Sequence, residues 1–218
     1  MKRLVVGSLA LAFAALLIGA LLEPLSGSVD LRTAVTGHLS ASGVEHPVTA
    51  VLLNFRGYDT LLEIAVLLLA LIVILAVGID PATDRPRAVN PILQTLARLA
   101  APLMVVVAVY LLWAGAFRPG GAFQAGAVLA AAAVLLHLTG LLPGWRTPSL
   151  KLRWGMTAGF LIFLAVAVGL LADGAFLQYP PAHAGMLILL IEAGLTISLA
   201  LILAGLFLFL SREPGDGE

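Results

Sequence analysis

Cysteine is absent from the 218-residue sequence, and charged residues make up only 11% of it. Without cysteine the chain forms no disulfides, thiolate metal sites or iron–sulfur clusters. The 12 basic and 12 acidic side chains cancel, so neither a basic surface for nucleic acid nor an acidic tail is expected. Hydrophobic residues account for 61% of the sequence and charged residues for 11%. In a soluble domain the charged fraction is about 25%. We therefore predict a protein of the lipid bilayer that does not bind nucleic acid.

Continuous apolar runs, separated by proline and glycine breakers, divide the chain into candidate transmembrane helices. A membrane-spanning helix needs about 20 mostly apolar residues, and these runs do not alternate as barrel strands do. We predict an all-α polytopic membrane protein with six transmembrane helices, in which Pro102 lies in the first turn or so of the third span. The predicted spans are residues 4–22, 61–79, 99–117, 122–142, 155–172 and 184–210.

The basic residues predict the orientation of the chain. With the N-terminus inside, nine of the 12 basic residues fall on the inner side and three on the outer side, as the positive-inside rule requires. Both termini are therefore predicted to be cytoplasmic. The first apolar run is longer than the 7–15-residue core of a secretory signal, so we expect it to be retained as a membrane helix. The one long connection, between the first two spans, contains a candidate re-entrant or interfacial segment at residues 48–55.

Glu192 lies within the sixth predicted span, surrounded by Gly194, Thr196 and Ser198. A charged group at membrane depth costs about 2.5–3.5 kcal/mol on insertion scales, so it usually faces protein or water and often serves ion movement. Thr196 follows Glu192 by four residues and shares its helix face. Two interpretations are open: Glu192 belongs to an ion path, or it pairs with a polar group on an adjacent helix.

Glu63 lies near the start of the second predicted span, where a different explanation competes. A carboxylate in the first turn favours the positive end of the helix dipole. Asp59 or Thr60 can cap that helix with Glu63 completing a capping box. The residues alone leave capping and ion handling equally open for Glu63.

Residues 118–126 read Arg-Pro-Gly-Gly-Ala-Phe-Gln-Ala-Gly, which is too short for an ordinary loop between two spans. Proline and paired glycines permit a sharp reversal close to another helix, and no Gly-Lys-Ser/Thr follows, as a phosphate loop requires. We expect a tight helical hairpin; the alternative gives Gln124 a direct role in a polar path. The residues predicted to build the turn are Pro119, Gly120, Gly121, Phe123 and Gly126.

No nucleophile–base arrangement or cluster of metal ligands is evident in the sequence, so neither an autonomous enzyme nor a bound cofactor is expected. Gly155 and Gly159 form a GxxxG motif, which is common in membrane helices and is weak evidence for helix association.

Residues 91–210 carry several motifs of one known family. They are the turn at 118–126, Ala97-Arg98-Leu99, Pro102, Tyr110-Leu111-Leu112, and Ile191-Glu192-Ala193-Gly194-Leu195-Thr196. On these motifs the segment resembles the B subunit of the multisubunit Mrp (Mnh) Na⁺/H⁺ antiporters. The family turn reads PGGGFQ, and Ala122 stands here in place of its third glycine.

An upstream segment, residues 48–63, contains Phe55-Arg56-Gly57-Tyr58-Asp59-Thr60-Leu61-Leu62-Glu63. It is similar to the C-terminal end of the large Mrp A subunit and to the small E-type subunit of membrane-bound hydrogenases, whose pattern reads FRGYDTLGE. The chain therefore resembles a fusion. Its predicted parts are a two-helix E-like unit (1–80), a linker (81–90), a four-helix B-like unit (91–210) and a polar tail (211–218).

These resemblances imply an accessory subunit of a multisubunit monovalent cation/proton antiporter in the prokaryotic inner membrane, with the other subunits as its partners and Na⁺ and/or H⁺ as the transported ions. By the same resemblance, Glu63 and Asp59 belong to the E-like part of an ion path. Glu192 and Phe123-Gln124 belong to the B-like part, with Thr196 beside Glu192. The alternatives are a structural scaffold, or a subunit of a hydrogenase-like or other redox-driven complex.

Overall fold

The computed structural model describes residues 2–22, 30–77, 90–143, 148–172, 174 and 176–210, and every regular element among them is helical. This confirms the predicted all-α class. A π-helix, Ala50–Phe55, continues α3, and a 3-10 turn, Leu170–Ala172, continues α7. The helices are α1 (Lys2–Leu22), α2 (Leu31–Ser42), α3 (Pro47–Thr49), α4 (Gly57–Val77), α5 (Pro91–Ala114), α6 (Ala122–Leu138), α7 (Leu150–Gly169) and α8 (Pro181–Leu210).

Among the described residues, four segments are long and apolar enough to cross a membrane: Gly57–Val77, Pro91–Ala114, Leu150–Ala172 and Pro181–Phe209. Two shorter apolar helices, Val5–Gly19 and Ala122–Leu138, coincide with the first and fourth predicted spans. The polytopic architecture is therefore confirmed.

The predicted position of Pro102 is wrong. Helix α5 begins at Pro91, and the side chain of its N-cap, Asn90, accepts a hydrogen bond of 2.9 Å from the Ile92 N–H. Pro102 consequently lies in the helix interior. The predicted span began too late, at residue 99, because the polar residues Gln94 and Arg98 interrupt the apolar pattern near the start of α5.

The long connection after α1 is more regular than its polar composition suggested. Asp30 starts α2, since its Oδ1 accepts the N–H groups of Arg32 and Thr33 and its Oδ2 accepts the Thr33 hydroxyl. These bonds, chiefly those from Thr33, hold the pKa of Asp30 below its usual range. The candidate re-entrant segment at 48–55 is helical, formed by α3 and the π-helix.

The chain divides into two compact units, residues 1–34 and 35–218. The first contains α1, whose side chains from Val5 to Gly19 are exposed. In the second unit α8 is central and packs against α4, α6 and α7, while α5 packs against α6. Residues 81–89 of the predicted linker and the predicted tail, 211–218, lie outside the described residues.

Two glycines bring neighbouring helices close to α8. An added Cβ at Gly159 of α7 meets the Ser198 Cβ at 2.6 Å and the Gly194 carbonyl oxygen at 2.7 Å. At Gly126 of α6 an added Cβ meets the Leu199 Cβ at 3.0 Å. The α7–α8 contact is also hydrogen-bonded, because the buried Ser198 hydroxyl donates to the Met156 carbonyl. Of the GxxxG pair, Gly159 lies against the α8 backbone, whereas an added Cβ at Gly155 meets only the Leu201 side chain, at 2.6 Å.

Candidate functional site

Glu192 is the one acidic or basic side chain that is buried among the described residues, with 5% of its surface exposed. Helix α8 begins at Pro181, so at 1.5 Å per residue Glu192 lies about 16 Å along its axis. The residue is therefore far from the end of the helix as well as covered by its neighbours.

The start of α6 faces this carboxylate. The N–H of Ala122, the first residue of α6, donates to Glu192 Oε1 across 3.3 Å. The first N–H groups of a helix have no partners within it and carry the positive end of its dipole. Glu192 thus supplies a side-chain acceptor to the N-terminus of another helix. The start of α6 therefore lies beside α8 about three turns after α8 begins.

A backbone reversal without side chains makes this approach possible. Gly121 has φ +102°, and an added Cβ there falls 2.5 Å from Glu192 Oε1. The Gly121 N–H donates to the Leu111 carbonyl across 2.8 Å. An added Cβ on Gly120 falls 2.5 Å from that same carbonyl oxygen, and one on Gly115 falls 2.6 Å from the Gly121 Cα. The expected tight hairpin is present. It also includes Gly115, which precedes the motif at residues 118–126 from which the hairpin was predicted.

Ala122, in place of the third family glycine, does not loosen the turn. Its side chain is 5% exposed and lies in the apolar core cluster that also contains Leu53, Ile188 and Ile191. Phe123 packs against the same cluster. The closest backbone approaches are at the two preceding glycines, so a methyl group at residue 122 is accommodated.

Two further predicted site residues lie beside Glu192. Thr196 is buried, and its hydroxyl donates to the Glu192 carbonyl oxygen across 2.8 Å. Gln124 is exposed, yet its Oε1 lies 4.0 Å from the position of an added Cβ on Gly121. The amide of Gln124 and the carboxylate of Glu192 are thus both close to the Gly121 backbone, one at the surface and one inside.

Residues 42–55, which we call the outer segment, contact the turn and the first residues of α8. The buried Thr49 hydroxyl donates to the Gly115 carbonyl oxygen. Gly43, with φ +72°, lies so close to α8 that an added Cβ falls 2.6 Å from the Ala184 Cβ. Ala50 and Leu53 of the π-helix are buried. The outer segment therefore packs onto the turn and onto the part of α8 that precedes Glu192.

Glu63 and Asp59 lie elsewhere. Asp59 forms an exposed ion pair with Arg56, in which Arg56 Nε lies 2.6 Å from Asp59 Oδ2. Glu63 is exposed on α4, whose buried side includes Leu61, Ile64 and Leu71. The structure does not place either carboxylate within the buried Glu192 site.

The capping interpretation of Glu63 is wrong. Helix α4 begins at Gly57, so Asp59 and Thr60 lie within its first turn. The Thr60 hydroxyl donates to the Leu52 carbonyl oxygen of the π-helix across 2.6 Å, and the position of both residues inside α4 excludes them as its N-cap.

The chemistry open to the site follows from its composition. An ionised carboxylate that is buried without a countercharge is strongly unfavourable, and Glu192 accepts one backbone N–H. A proton or a monovalent cation on the carboxylate removes that cost. Among the described residues no group of three histidine, aspartate or glutamate side chains forms a metal site.

Residues 92–211, more than half of the chain, match a family described as a domain related to the MnhB subunit of Na⁺/H⁺ antiporter. The fold is similar to a chain in the structure of the Mrp complex from Dietzia sp. DQ12-45-1b, with a TM-score of 0.70 and 23% identity. That alignment covers 100% of this chain and 27% of the other, so this chain spans about a quarter of the length of its relative.

The fold is also similar to a chain of the membrane-bound sulfane sulfur reductase (MBS), an archaeal respiratory membrane complex. The TM-score is 0.71 and the identity 22%, and the alignment covers 98% of this chain and 100% of the other. No curated protein sequence matches the chain. At these identities the two structural likenesses establish the fold.

Proposed function

The chain belongs to the family with a domain related to the MnhB subunit of Na⁺/H⁺ antiporters, and on that basis we propose that it is an accessory subunit of a multisubunit monovalent cation/proton antiporter. Its apolar helices make it a multi-pass membrane protein, and its family and its likeness to a chain of the Mrp complex support a place in the prokaryotic plasma membrane. Its partners are the other subunits of the complex. It acts as a transporter subunit without a catalytic site of its own.

The observation that carries the proposal is the buried Glu192 carboxylate at the start of α6. Carboxylate oxygens are hard ligands that suit a hydrated or partly hydrated alkali cation. The Ala122 N–H stabilises the ionised form, and burial favours occupation by a proton or a cation. Glu192 thus exchanges one cation for another, and the exposed amide of Gln124 lies where an ion reaches the turn from the surface of the chain. Thr196 keeps this part of α8 ordered.

Glu63 supplies the second part of the proposed path. It is an exposed carboxylate on a helix with a mean hydropathy of 3.0, and contact with lipid tails is unfavourable for such a group. We therefore assign the Glu63 face of α4 to an interface with another subunit, where the carboxylate borders a polar path. Asp59, four residues earlier and paired with Arg56, lies towards the entrance of that path.

Replacement of Glu192 by glutamine in the intact complex tests the proposal. The amide is isosteric and its oxygen still accepts the Ala122 N–H, but it carries no charge and takes up no proton. We expect sodium-dependent proton movement into vesicles to fall at least about tenfold, which corresponds to ~1.4 kcal/mol, with the amount of complex on a native gel unchanged. Glu45→Gln, an exposed carboxylate, is the matched control.

Two outcomes contradict the proposal. Normal antiport by Glu192→Gln removes Glu192 from the path. Loss of the complex itself favours the structural alternative, in which Glu192 mainly holds α6 against α8.

A second candidate function is a subunit of a redox-driven ion pump. It is favoured by the match over the full length of a chain from a respiratory membrane complex. Vesicles separate the two candidates, because an antiporter exchanges sodium for protons under an ion gradient alone. A redox-driven complex requires an electron donor for the same movement.

A further inference from the structure

Tyr179 has a buried hydroxyl without a hydrogen-bond partner among the described residues. It lies in the connection from α7 to α8, two residues before α8 begins, and is 5% exposed. Burial raises the pKa of the Tyr179 phenol, so the group remains a neutral hydrogen-bond donor. A buried donor without an acceptor costs about 1–3 kcal/mol, and phenylalanine in the same place avoids that cost.

The other buried hydroxyl groups of the described chain differ from Tyr179. Each of them donates to a backbone carbonyl, as packing at membrane depth demands. The donors are Ser42 to Leu39, Thr49 to Gly115, Thr60 to Leu52, Thr196 to Glu192 and Ser198 to Met156. Tyr179 is thus an exception that ordinary packing of this fold does not explain.

Tyr179 lies in a connection whose backbone is largely outside the helices, while its ring packs in an apolar cluster. Residues 176–180 form a non-helical connection, and the Pro180 carbonyl oxygen accepts the His183 N–H across 2.9 Å. Pro180 and Pro181 have no N–H groups. A buried hydroxyl without a protein partner suits water, which both donates and accepts hydrogen bonds.

Tyr179 also borders the structure that holds Glu192. One buried cluster contains Tyr179, then Ala184, Ile188 and Ile191 along α8, and finally Ala122, whose N–H contacts Glu192. Tyr179 therefore lies beside the beginning of α8, at the end of the bundle that the basic residues predict to be outside, and Glu192 lies deeper along the same helix.

We propose that the Tyr179 hydroxyl binds a water molecule on the outer side of the ion path, and that this water hydrates the cation or relays the proton on its way to Glu192. This inference rests on the proposed function. The ligand class is water or a hydrated monovalent cation, bound through the phenol hydroxyl of Tyr179.

Tyr179→Phe in the intact complex is the test, because it removes one oxygen atom and keeps the ring in the core. We expect sodium-dependent proton movement to fall about fivefold, the effect of losing one hydrogen bond along the path. The unfolding temperature should stay near that of the wild type, because the hydroxyl has no protein partner to lose. The control is Tyr58→Phe, which removes a hydroxyl from an exposed ring that contacts Phe176 edge-on.

Normal antiport by Tyr179→Phe overturns the inference. So does a lower unfolding temperature or a lost complex, since either result means that the hydroxyl has a structural partner in the assembly. Glu192→Gln, measured in the same vesicles, separates this inference from the proposed function. If Glu192→Gln is inactive and Tyr179→Phe is normal, the water site alone is wrong; if Glu192→Gln is also normal, the proposed function is wrong.

Discussion

The N–H of Ala122 donates to Glu192 Oε1 across 3.3 Å and links two residues that are 70 positions apart. Ala122 is the first residue of α6, and Glu192 lies within α8. This bond makes the glycine turn and the buried carboxylate one structural unit, since each fixes the position of the other. The same atoms hold the helices together and present the carboxylate that we propose to bind a proton or a cation.

Substitutions of Glu192 separate its structural contribution from its charge. Glutamine keeps an oxygen for the Ala122 N–H, so we expect the thermal stability of Glu192→Gln to remain near that of the wild type. Leucine leaves the N–H without its side-chain acceptor, which should cost about 1–3 kcal/mol. Thermal unfolding of the purified complex measures both. Equal destabilisation by the two substitutions would mean that the carboxylate charge itself, and not its acceptor oxygen, stabilises the packing.

Gly121→Ala should destabilise the turn. The backbone there has φ +102° and ψ −171°, a region in which a non-glycine residue costs about 1–3 kcal/mol. The added Cβ also falls 2.5 Å from Glu192 Oε1. The matched control is Gly37→Ala in α2, where an added Cβ meets nothing within 4 Å. We expect a lower unfolding temperature for Gly121→Ala alone; an unchanged value for that variant contradicts the described turn.

Two glycines of α7 give a comparison within one helix. At Gly159 an added Cβ meets Ser198 and Gly194 at less than 2.8 Å, whereas at Gly169 it meets nothing within 4 Å. Gly159→Ala should therefore separate α7 from α8 and cost about 1–3 kcal/mol. Gly169→Ala should be neutral or slightly stabilising, because alanine is the better helix former. Similar unfolding temperatures for the two variants would show that the α7–α8 crossing is not close at Gly159.

Much of the fold was predictable because the bilayer imposes a simple pattern on the sequence. Each apolar run coincides with a helix, and within the described ranges Pro119-Gly120-Gly121 and Pro180-Pro181 fall at helix ends. Helix starts were less predictable where polar residues lie inside the helix, as in α5. Helix α2 was missed because its composition is that of a loop, and its start depends on the local bonds of Asp30.

The site was predictable only in part. The turn motif and Glu192 were each recognisable, but nothing in their spacing indicates that Ala122 contacts Glu192. That contact depends on the position along α8 at which the N-terminus of α6 lies. Gly115 lies outside the motif and carries no sequence signal of its own. Tyr179 belongs to no motif of the sequence, and only the packing reveals that its hydroxyl is buried. The roles of Glu63, Asp59, Gln124 and Thr196 in ion movement remain predictions.

The most direct test of the central claim is to measure whether the transported cation protects Glu192 from chemical modification. Dicyclohexylcarbodiimide reacts with protonated carboxyl groups in apolar surroundings, and mass spectrometry of the digested complex identifies the modified residue. Because the account has sodium and the proton competing for one carboxylate, labelling of Glu192 should decrease as sodium is raised at constant pH. Labelling of Glu192 that is independent of sodium, in a complex that still catalyses sodium-dependent proton movement, would contradict it.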